Sequence, residues 1–263
     1  MTTSINYDYS VRGRWVGPAD EAPAVTGAKF LKTLDALSGV DPLFAGWQVN
    51  RNWKIDEDGQ PRLIPLDAAR KRIAAIVETG VADNDFNEPE PMSGYSVLGT
   101  AGARGPRRVA FSADTGNQTF NLSFGEWNLA SDLSIVTYPL FKAALLVTSA
   151  AWDAQWADAS AYRNEFVRVP MDLAPGVPAF RIESASLVPI DPTFPKSMFH
   201  VPWIIYLSAK HAAGVRVARE ILTERMPDGG LLMSATTDRL DPMNPEHVRR
   251  ARILAETLIA CTS

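Results

Sequence analysis

Cysteine is almost missing from this chain, with Cys261 alone among 263 residues. A single thiol excludes an internal disulfide framework and fits a reducing compartment. Histidine is nearly as scarce: His200, His211 and His247 complete the set. With one cysteine they supply no zinc-ligand spacing, and no glutamate makes an H-E-x-x-H pattern with any of them. Long apolar runs are absent too. The longest candidate, YPLFKAALLVTSAAW, is interrupted by Lys142 and falls short of the roughly 18 residues of a membrane span. The opening residues, MTTSINYDYSVRGRW, hold no apolar signal-peptide core. Positive charge is not in excess, since the formal net charge is -4, so there is no basic coat for nucleic acid. The expectation is a cytoplasmic protein with no direct contact to nucleic acid or membrane.

Enzyme signatures are equally thin. GTAGARG places Gly99, Gly102 and Gly105 at G-x-x-G-x-x-G, which is neither a dinucleotide fingerprint nor a P-loop. It falls between two strand-like segments and reads as a hairpin loop. No G-x-S-x-G elbow presents a serine nucleophile. Acids are frequent enough to pair by chance, so paired carboxylates carry little weight without a cleft. We therefore expect no catalytic residues, no metal and no cofactor.

What is present is alternating structure. INYDYSVRGRW sets Ile5, Tyr7, Tyr9 and Val11 against Asn6, Asp8, Ser10 and Arg12, the period of a half-buried strand. Phe30, Leu31, Leu34 and Leu37 fall at helical spacing, and Gly39 stands where a helix would stop. A strand is predicted over 44–49 and one amphipathic helix over LDAARKRIAAIVETG. Strands at 95–99, 107–113 and 119–125 form a meander with short glycine-containing turns. YPLFKAALLVTSAAWDAQW reads as one largely buried helix, placing Trp152 and Trp156 together on it. Strands in AFRIES and HVPWIIYLS follow, with Pro202 expected at the start of the latter. Then come a helix in GVRVAREILTER, a strand in GLLMSAT and a last helix. The uneven interleaving indicates an α+β protein, with a mixed, largely antiparallel sheet, a central meander and packed helices. We expect one domain over 1–263. Both ends of the chain read strand, helix, strand, helix, which permits two similar halves of about 1–130 and 131–263.

The stretch MPDGGLLMSATTDRLDPMNPEHVRRARILAETL looks at first like a ligand site. Asp238, Asp241, Asn244 and Glu246 lack the alternate spacing and central glycine of a calcium loop. Local structure accounts for them better. Asp228-Gly229-Gly230 suits a tight turn, Asn244 suits a helix cap and Pro245 the first helical position.

Charge is uneven. Ile73–Tyr162 holds ten acids and four bases, net -6, leaving +2 elsewhere. The loop DNDFNEPEPMSGY packs Asp83, Asp85, Glu88 and Glu90 into eight residues, with Pro89 and Pro91 limiting its flexibility. Such loops are most often solvated connectors, but they can also steer a basic partner. Of seven tryptophans, Trp53 and Trp127 border polar loops, where an aromatic anchor for a partner is plausible.

Taken in order, FLKTLDALSGVDPLFAGWQV, a helix, the acidic NDFNEPEP with GYS, SIVTYPLFKAALL and PDGGLLMSATTDRLDPMNPEHVRRARIL resemble the immunity protein 52 family, from about Trp15 to the last helix. The resemblance implies an α+β immunity protein of a bacterial polymorphic toxin or type VI secretion system. Its expected partner is a cognate toxin with a restriction-endonuclease-like nuclease domain. The family supplies no catalytic residues. Two other classes stay open at this stage: a small-substrate enzyme without a recognisable motif, and a scaffold subunit of a bacterial complex.

Overall fold

The computed structural model describes residues 7–18, 20–55, 61–80, 94–102, 105–125, 131–163, 180–183, 186–189, 200–241 and 243–259. Twelve strands are described: β1 (Tyr7–Arg14), β2 (Gln48–Ile55), β3 (Pro61–Pro65), β4 (Ser96–Ala101), β5 (Val109–Asp114), β6 (Thr119–Phe124), β7 (Trp156–Arg163), β8 (Phe180–Glu183), β9 (Ser186–Pro189), β10 (His200–Leu207), β11 (Leu222–Arg225) and β12 (Leu231–Ser234). The helices are α1 (Pro23–Ser38), α2 (Leu66–Arg70), α3 (Ile73–Thr79), α4 (Tyr138–Ala151), α5 (Ala209–Ala212) and α6 (Pro245–Ile259).

Ten strands make one sheet in the order β11-β12-β10-β7-β1-β6-β5-β4-β2-β3, and β8 pairs with β9. Every described pairing is antiparallel, so the expected α+β architecture with its central meander is present in β4–β6. At the middle, β1 pairs with β6 on one side and β7 on the other.

Strand alternation splits this sheet into two unlike faces. One face carries Tyr9 and Val11 from β1, Phe111 from β5, and Phe120, Leu122 and Phe124 from β6, all buried. Helices α1 and α4 lie over it. Phe30 of α1 sits over Gly99, where an added Cβ would come within 3.1 Å of the ring. Phe141 of α4 stacks on Phe124 with centroids 4.3 Å apart and also meets Trp203 at 5.4 Å. The two helices are joined below by Trp152, whose Nε1 donates to Thr33 Oγ1 at 2.9 Å. Burial of these large rings is the main source of stability, at about 25 cal/mol per Å² of apolar surface.

Several expectations are corrected. The strand predicted over 44–49 starts later, at Gln48, because Pro42–Phe44 forms a 3-10 turn capped by Asp41. The helix predicted over 66–80 breaks into α2 and α3 at Arg72, which adopts φ -142. The long helix through Trp156 ends at Ala151. Asp153 takes φ 48 and turns the chain into β7, so Trp152 faces the helices while Trp156 lies on the sheet's other face. The helix predicted in GVRVAREILTER is instead an irregular segment followed by β11. Gly214 at φ 84 ends the short α5, and the turn at 226–230 folds Leu222–Arg225 back onto β12 as a hairpin. Pro202 is not at the strand start; it sits inside β10 next to a register shift, the kind of irregularity that tolerates a residue without an N–H.

Candidate interaction surface

The second face of the sheet is polar. Register places Leu98, Ser112, Asn121, Arg12, Asp158 and Ile205 in one row across β4, β5, β6, β1, β7 and β10. A neighbouring row runs Thr100, Ala110, Ser123, Ser10, Ser160. Across β5 and β6 these side chains are half-buried, whereas Ser10, Asp158 and Ser160 are buried. A carboxylate at that depth needs compensation. Asp158 receives it from Arg12 Nε at 3.1 Å and from the Ser160 hydroxyl. Arg12 was visible in the sequence as part of a polar strand face. Asp158 was missed, because WADASAY, with alanine as its inward residue, carries no strong strand signal.

The acidic residues proposed for partner binding, Asp83, Asp85, Glu88 and Glu90, lie outside the described residues, as does Trp127. Trp53 lies in β2, and its side chain is outside them too. The residues that hold these segments are described. Ser96 N–H donates to Gly80 O at 2.7 Å, and Tyr95 and Thr115 exchange bonds of 2.7 and 2.9 Å. The acidic loop therefore leaves from and returns to a fixed base beside the β5–β6 turn. Val49 pairs with Gly99 and Gln48 with Thr100, so β2 advances from there toward that same end of β4. The described residues that flank Trp127 in sequence, Gly125 and Ser131, lie at the opposite end. There Gly125 N–H donates to Arg108 O at 2.7 Å and Ser131 Oγ to Phe124 O at 2.5 Å. Arg107 and Asp132 form an exposed 3.6 Å pair nearby. The Asp132 carboxyl is held below its usual range, chiefly by hydrogen bonds from Ser134 and then by Arg107. The two bases are separated by the length of a six-residue strand, about 20 Å.

The terminal stretch is built as a joint. Gly229 takes φ 83, a conformation favouring glycine, and Asp228 Oδ1 accepts from Gly230 N–H at 2.8 Å. Asn244 Oδ1 accepts from Glu246 N–H at 3.0 Å, and Pro245 opens α6. Asp241 Oδ1 accepts from Met243 N–H at 2.9 Å, while Asp241 N–H donates to His247 Nδ1 at 3.0 Å. The loop between is fastened to the core by Tyr9, whose hydroxyl donates to Leu240 O at 2.8 Å, and by Trp203 Nε1, which donates to Thr236 O at 3.0 Å. In α6, Glu246 is held down to about 2 by hydrogen bonds from Arg249 and Arg250.

One contact has the form of a nucleophile and base: Ser208 Oγ and His211 Nδ1 are 3.0 Å apart. Burial and then Lys210 lower the His211 pKa. The pair joins the residue before the four-residue α5 to the third residue of that helix, a local contact across its first turn. Among the described residues, no group of three or more His, Cys, Asp or Glu could hold a metal ion, and no helix is long and apolar enough to cross a membrane.

No protein-family model and no curated protein matches the chain. Among solved structures it is similar to the Pseudomonas aeruginosa T6SS protein PA0821, at 12% identity and a TM-score of 0.45, over 97% of this chain and 75% of that one. The resemblance to the immunity protein 52 family thus rests on the segments quoted above.

Proposed function

We propose that this protein is an immunity protein, which acts in the cytoplasm by binding and neutralising a cognate nuclease toxin of a polymorphic or type VI secretion system. It acts by occupying the toxin and catalyses nothing itself. The observation that carries this reading is the order and spacing of the resembling segments, which fall on α1 and the approach to β2, on the start of α4, and on β12 through α6. In this protein their polar residues are used for turns, caps and core fastening: Asp41 caps the 3-10 turn, Asn244 caps α6, and the chain around Leu240 anchors Tyr9. Such residues serve as scaffold, and a scaffold suits a binding protein.

The acidic loop supplies the electrostatics of this reading. A nuclease presents cations to phosphate, and a cluster of acids raises the rate of encounter with such a surface. The test is co-expression with the toxin encoded beside this gene. Rescued growth and a complex that co-elutes on gel filtration are expected. Growth arrest in the presence of soluble protein overturns the proposal.

A further inference from the structure

We draw no further inference here: the strongest candidate, the outer apolar side of α4 around Ala143 and Leu146, continued by the exposed Leu133 and Leu222, is a surface patch, and nothing in the structure shows what covers it.

Discussion

Arg12 Nε donates to Asp158 Oδ1 at 3.1 Å, joining β1 to β7 through the polar face of the sheet. The carboxylate side chain is 2% exposed and the guanidinium side chain 27%. Removing the cation strands a buried charge, which typically costs 3–5 kcal/mol, whereas replacing both partners by apolar groups costs far less. Arg12→Met should therefore destabilise by about 3 kcal/mol, and Arg12→Met combined with Asp158→Leu should recover much of the loss. Urea denaturation of the singles and the double checks this. Simple additivity would show that the pair is not coupled.

Gly13 crosses the sheet where no side chain fits. A Cβ there would lie 2.5 Å from Phe120 Cζ, 2.8 Å from Ala157 Cβ and 2.8 Å from Trp156 O. Gly13→Ala should lower stability by at least 1–3 kcal/mol, the usual cost of overpacking. A denaturation midpoint equal to wild type would mean that β1 and β7 can separate without loss.

Asn244→Ala removes the cap on α6 and should cost about 1 kcal/mol. Under the proposed function, binding of the toxin partner should be unaffected. A large loss of binding at an unchanged melting temperature would reassign this joint to the interface.

His211 sets a pH dependence. Burial, then Lys210, lower its pKa below the ordinary 6.5, so the folded state prefers the neutral ring. The unfolded chain then binds more protons in the window below 6.5, and stability must fall as pH drops through it. His211→Gln should flatten that arm of the stability profile. Thermal denaturation from neutral to mildly acidic pH measures it, and an identical slope in the variant would exclude His211 as the source.

The acidic loop should act on association rate. Replacing Asp83, Asp85, Glu88 and Glu90 by Asn or Gln should slow toxin association several-fold at low salt. The two proteins should converge at high salt, where exposed charges are screened beyond roughly 8 Å or less. An effect confined to dissociation and resistant to salt would place the loop inside the contact, paired with cations. Unchanged rates would end its electrostatic role.

Much of the fold was readable where a residue's local preference agrees with its tertiary role. The β1 alternation, the meander from Ser96 to Phe124, the Gly229 turn and the Asn244-Pro245 start of α6 are set by near neighbours, and the expected elements formed there. What the chain alone could not decide was set by contacts distant in sequence. WADASAY has helix-forming alanines and became β7 because β1 and β10 offered ladders on both sides; there alanine's small size lets Ala157, Ala159 and Ala161 pass beneath the helices. ILTER has a helical pattern and became the edge strand because β12 lies a tight turn away. The union of Arg12 with Asp158 follows from the same strand pairing, across 146 residues of sequence. Composition determines that α4 is apolar all round. Only the packing of one of its sides against Tyr9, Phe124 and Trp203 determines which side is left outside. A local pattern states how much surface a segment must bury, and the arrangement of its distant partners decides where that surface goes.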